Sequence, residues 1–136
     1  MWQDKAMKAE TLNWLKSAKY DIESARAMLQ TGHYLYVIFF CHLSIEKALK
    51  AVISETSSQM PPRSHDLLFL VGLSGMTPTE SHLDFIGVLN NAHIATRYPS
   101  DLRQARRQYP RKIAGEYLKT TVEVIKWITS HPSFKK

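Results

Sequence analysis

Four ionisable side chains fall on one side of an otherwise apolar stretch, Cys41-His42-Leu43-Ser44-Ile45-Glu46-Lys47-Ala48-Leu49-Lys50-Ala51. On a helical period His42, Glu46 and Lys50 recur at i, i+4 and i+8 with Lys47 beside them, while Val37, Cys41, Ile45, Ala48, Leu49 and Val52 crowd the opposite arc. Ionisable groups on such a helix need an explanation. The plainer reading is a stripe facing solvent, with Glu46 and Lys50 as an i,i+4 ion pair worth about 0.2–0.5 kcal/mol. Two apolar residues, Phe39 and Leu43, share the polar side and suggest a contact with another chain.

A second candidate lies further along. Arg97, Arg103, Arg106, Arg107, Arg111 and Lys112 face a single acid, Asp101, so much of the net charge of +6 sits in one segment. Guanidinium groups at this density suit a polyanion: nucleotide phosphate, RNA or an acidic protein. A solvated basic loop is the alternative. On the preceding helix, His93 and Arg97 stand one turn apart, placing a base beside a cation.

These groups must be positioned by helices, since no segment alternates as a strand does. From about Asp4 to Leu29, Trp14, Ala18, Ile22, Ala25 and Leu29 form an apolar stripe, and Gly32 ends the helix. A second helix follows His33-Tyr34, fades at Ser54–Ser58 and stops before Pro61-Pro62. Ser64 is expected to cap a short helix reaching about Val71, with Asp66 at its positive end. Thr77, Pro78 and Glu80 read as cap, first helical residue and capping-box partner of a helix running to Arg97, where Pro99 halts it. Its apolar face uses Phe85, Ile86, Leu89 and Ala92. The last helix starts after Pro110, carries Ile113, Tyr117, Val124, Trp127 and Ile128 inward, and frays at Ser130-His131-Pro132. The connection from Pro99 to Pro110 is long for a bundle, so it is either partly helical or functional.

The expected fold is all-α: an antiparallel up-and-down four-helix bundle with an additional short helix, residues 1–136 forming one domain. With 136 residues and 44% hydrophobic content, the chain supports one real core. Its one cysteine, Cys41, excludes an intrachain disulfide and reads as packing. No zinc spacing occurs, and neither metal nor cofactor is expected. The first ten residues have no apolar h-region and no stretch is long enough to span a membrane, so a soluble, cytoplasmic protein is expected.

Taken in order, the pattern from Trp14 to Leu29, the Gly32-His33-Tyr34 turn, Ile45-Glu46-Lys47-Ala48-Leu49-Lys50-Ala51, His65-Asp66-Leu67, Arg97-Tyr98-Pro99 and the helix ending at Trp127 resemble the HEPN domains over nearly the whole chain. The resemblance implies a helical bundle, frequent homodimers, association with minimal nucleotidyltransferases, nucleotide binding and, in many members, metal-independent RNA cleavage. Matching residues carry over as candidates for nucleotide or phosphate binding: Lys47, Lys50, His65, Asp66, Arg97 and Tyr98, expected to line one cleft. Arg103, Arg106, Arg107 and Arg111 form the adjoining basic patch. Lysines and Arg97 would hold phosphate, free N–H groups at the short helix would face an anion, and Tyr98 would stack on a base. Alternatively, His65-Asp66 is a capping turn and Tyr98 a core anchor.

The cleaving members resembled here use an Arg, four to six intervening residues and a His. After Arg97 the next histidine is His131, and after Arg63 they are His65 and His82. Arg26 and His33 match in spacing but straddle the Gly32 turn of a different hairpin. His93 and Arg97 come in reverse order, though they remain the pair a ribonuclease would use. The sequence therefore favours a nucleotide- or RNA-associated binding module, partner of a minimal nucleotidyltransferase and possible member of a toxin–antitoxin pair. A metal-independent ribonuclease and a purely structural dimerisation bundle are the competing classes. No nucleotidyltransferase acid cluster or Gly-Ser motif occurs, so the chain itself is not expected to transfer nucleotides.

Overall fold

The computed structural model describes residues 7–134. They form α1 (Ala9–Thr31), α2 (Tyr34–Thr56), α3 (Leu67–Ser74), α4 (Glu80–Arg97), α5 (Leu102–Gln108) and α6 (Arg111–Thr129), closed by a 3-10 turn at Pro132–Phe134. No strand occurs among the described residues. The fold is all-helical, and the long connection after Pro99 is partly helical: it holds α5, a second short helix beside α3. The anticipated helical start near Asp4 lies outside the described residues, and α1 begins at Ala9.

The centre of the molecule is α2, which packs against each of the other five helices. Its apolar arc of Val37, Cys41, Ile45, Ala48, Leu49 and Val52 is fully buried, as the periodicity predicts. The polar side is buried too. His42, Glu46 and Lys50 are 1%, 3% and 4% exposed, which overturns the reading of a solvated stripe. Helices α3 and α4 both pack on α2, so two sides of it are enclosed.

Local signals set the helix ends, with two corrections. Asp66, rather than Ser64, caps α3: its carboxylate accepts from the N–H groups of Leu68 and Phe69, while Ser64 Oγ accepts from Asp66 N–H. At α4 the cap is Thr79, which accepts from His82 N–H, so the expected Thr77 box is displaced by two residues. Pro78 thus precedes the cap, and Glu80 opens the first turn, where its charge still favours the helix dipole. In the final helix Ala114, Leu118, Thr121, Val124 and Ile128 are buried, and Ile113, Tyr117 and Trp127 flank them half-buried.

The turn joining α1 to α2 has only two residues, Gly32 and His33. Gly32 adopts φ +82°, and the Met28 carbonyl accepts from both the Gly32 and His33 N–H groups. A side chain is strained in that left-handed conformation by roughly 1–2 kcal/mol. Gly32→Ala should therefore lower the free energy of unfolding by about 1 kcal/mol, read as a reduced urea midpoint with unchanged m-value.

Candidate functional site

A buried carboxylate is costly unless paired, and Glu46 gathers three partners. Its oxygens lie 2.9 Å from Lys50 Nζ, 2.9 Å from His65 Nδ1 and 3.9 Å from His42 Nδ1. Helical spacing supplies Lys50 and His42. His65 arrives from the segment before α3, which α4 fixes: Asn90 Oδ1 accepts from Leu67 N–H at 2.8 Å, and its amide donates to Asp66 Oδ1 at 3.1 Å. Lys50 also stands 5.6 Å over the Trp14 ring of α1.

Across from this centre, the His42 ring stacks on His93 of α4, with centroids 3.8 Å apart and planes 18° apart. Burial, then the neighbouring His93, pushes His42 down to about 4. Burial and then the charges of Arg97 and His65 also hold His93 below the ordinary histidine value. Both rings are therefore neutral near pH 7. His42 Nε2 and His93 Nδ1 are buried without hydrogen-bond partners among the described residues.

The six expected phosphate-binding residues divide among different surroundings. Lys50 and His65 meet at Glu46, and Asp66 serves as helix cap and Asn90 partner. Lys47 turns toward α1 and pairs with Asp21 at 2.8 Å. Burial still raises the Asp21 carboxyl above its usual range, against the pull of Lys47. Tyr98 is 75% exposed at the exit of α4. Arg97 lies over the Phe39 ring, its guanidinium carbon 4.5 Å from the centroid.

The open site lies beside Arg97. A cleft of about 950 Å³ is lined by Arg97, Arg103, Arg106, Arg107 and Arg111, with no carboxylate in its wall among the described residues. The basic patch and Arg97 thus come together in one concavity. Helix α5 presents three of these arginines and buries only Ala105, with Asp101 capping it through Gln104 N–H. The opposite wall comes from the α1–α2 turn and the start of α2: Thr31, Gly32, His33, Tyr34, Leu35 and Tyr36. Sequence reasoning used that turn only as punctuation. The turn and the connection that follows α4 nevertheless line the same cleft, which puts His33 and Tyr36 within reach of α5. Tyr109 completes the aromatic lining.

Arg26 lines a separate groove between α1 and α6 with Lys119 and Lys126, so its spacing to His33 does not make a common site. No group of three His, Cys, Asp or Glu side chains among the described residues is arranged to hold a metal ion.

The sequence pattern defining the HEPN domain matches residues 11–131. This chain belongs to the HEPN domain family. That places it among nucleotide- and RNA-associated helical modules. Solved structures share this HEPN fold. An archaeal HEPN homologue superposes with a TM-score of 0.72 at 20% identity, over 88% of this chain and 95% of that one. A protein from Thermus thermophilus gives 0.75 at 21% identity, over 90% and 98%. An HEPN domain protein from Thermotoga maritima gives 0.65 at 26% identity, over 87% and 95%. No curated protein matches the chain. No described helix is long and apolar enough to cross a membrane.

The buried histidine gives this HEPN domain a pH-dependent stability. His42 titrates lower in the folded state than its unfolded value of 6.5, so the unfolded chain binds more protons between those values. Stability is full above pH 6.5 and should fall by about 3 kcal/mol as pH drops to 4. Chemical denaturation across that range should show the decline, and His42→Gln should remove most of it.

Proposed function

We propose that this HEPN domain is a nucleotide- or RNA-binding module whose arginine-lined cleft holds phosphates, and that it is the helical partner of a minimal nucleotidyltransferase in a toxin–antitoxin pair. The observation that carries the binding reading is five guanidinium groups around one cleft with no carboxylate among its lining residues. Like charges held this close repel one another, and a polyanion relieves that repulsion. Guanidinium forks match phosphate oxygens in pairs. Tyr36, half-exposed on the wall, and Tyr109 offer ring faces to a base.

The polar centre supports the site without forming part of its open surface. Lys50 and His65 are engaged by Glu46, so they fix the relation of α2 to α3 and α4, the helix from which Arg97 emerges. Lys47, paired with Asp21, and Asp66, the cap of α3, are not among the residues lining the cleft, and Tyr98 offers its exposed ring beside Arg97. The homodimer implied by the family resemblance belongs to the same proposal. Its expected contacts were Phe39, now covered by Arg97, and Leu43, which is half-buried. Exposed apolar side chains open to a second copy include Leu68, Phe69 and Leu73 of α3 and Val88 and Ile94 of α4.

Affinity for a short single-stranded RNA should fall with salt, with a log–log slope near −0.7 per phosphate neutralised. Arg106→Ala with Arg107→Ala should flatten that slope and leave the fold intact, since both side chains are exposed. Arg97→Ala should lower affinity more. A salt-independent affinity would sink the binding reading. The same RNA should stay uncleaved without metal; cleavage that disappears in His93→Ala would instead promote the ribonuclease.

A further inference from the structure

The cleft and the polar centre meet at one residue. Arg97 lines the cleft and lies one helical turn beyond His93, whose ring its charge acidifies. Phe39 and His42 are likewise about one turn apart on α2. Two successive rungs therefore cross between α2 and α4: the Arg97 guanidinium on Phe39, then the stacked His42 and His93 imidazoles. The second rung has chemistry that the binding reading does not use. His93 Nδ1 is buried with no hydrogen-bond partner among the described residues, and His42, whose Nε2 is likewise buried without a close partner, has the His65 backbone and the Asn90 side chain placed to favour its protonated form.

A protonated imidazole can rest on a neutral one, whereas two protonated rings at 3.8 Å repel. The pair thus has room for one proton. The charged and titratable groups facing it are Glu46 and Lys50 from α2, His65 and Asp66 from the segment before α3, and Arg97 from α4. Glu46 favours a proton on the pair, and Arg97 and His65 oppose one on His93. Of these groups, Arg97 is the one that also lines the cleft.

Resting on the reading of the cleft as a phosphate site, we propose that Arg97 couples the two: a phosphodiester anion in the cleft draws one proton from solvent onto the His42–His93 pair, so the cleft binds more tightly as pH falls. The anion offsets the field of Arg97 at His93, and the ring then takes a proton more readily. Reciprocity requires that the proton in turn favours the anion. The sign is fixed by the free chain: burial keeps both rings neutral near pH 7, helped by His93 at His42 and by Arg97 at His93, so uptake on binding appears below that pH.

His33 also lines the cleft, where it would meet the anion directly, so the test removes it first. A short oligothymidylate is a suitable probe, because its charge is constant through the histidine range. Calorimetry of the His33→Gln chain in buffers of different ionisation enthalpy should show uptake approaching one proton. Affinity should rise by up to about tenfold per unit fall in pH. Adding His93→Gln should abolish both effects. In the unsubstituted chain, proton NMR should show the His93 ring titrating at higher pH when the oligonucleotide is bound, a readout that needs no variant. Uptake unchanged by His93→Gln, or a His93 titration unmoved by the probe, overturns the coupling while leaving the cleft reading in place. Failure of the probe to bind at any pH overturns both.

Discussion

One carboxylate organises the interior. Glu46 sits on the helix that every other helix touches, and its oxygens bind groups from α2 and from the segment entering α3. Burying a lone charge costs several kcal/mol, so such a group persists only where its partners are held in place. Here they are held by packing that the carboxylate itself requires. His65 reaches Glu46 only because Asn90 of α4 ties down Asp66 and Leu67. Removing one partner exposes the others to an unbalanced interior charge, whereas apolar contacts alone would tolerate helix sliding. The hydrophobic arc of α2 supplies much of the cohesion, and the polar arc supplies register.

Register matters because the cleft is assembled from parts distant in the sequence. Its walls are a hairpin turn near residue 33, the end of α4, and a seven-residue helix that buries a single alanine. None of these would hold a guanidinium array by itself. The bundle end brings them together, and gathering five guanidinium groups there is electrostatically unfavourable. The favourable packing elsewhere in the core has to carry that repulsion.

The sequence made the helices legible, because apolar periodicity reports directly on which face is covered. Val37, Cys41, Ile45 and Leu49 followed that logic. Cap positions were less legible. Ser64 and Asp66, or Thr77 and Thr79, are chemically similar candidates two residues apart, and only the tertiary path of the chain selects between them. The polar arc misled for a different reason: periodicity marks what could be wet, yet His42, Glu46 and Lys50 satisfy one another and their neighbours when enclosed. Among the site residues, the arginine density was visible in the composition of one segment. The partnership of that segment with His33, Tyr34 and Tyr36 was not, since residues some seventy positions apart meet only through bundle topology.

The two-residue turn between α1 and α2 also bears on how the chain reaches its folded state. Two helices of 23 residues joined so tightly make their mutual contacts at little loop-closure cost, and they leave a ribosome before the helices that pack on them. This hairpin already contains the arc of α2 that the later helices need as a template. It also contains the His33–Tyr36 wall of the cleft. The arginines of α5 follow much later in synthesis and dock against a surface that can already exist, so the repulsive half of the site is added last.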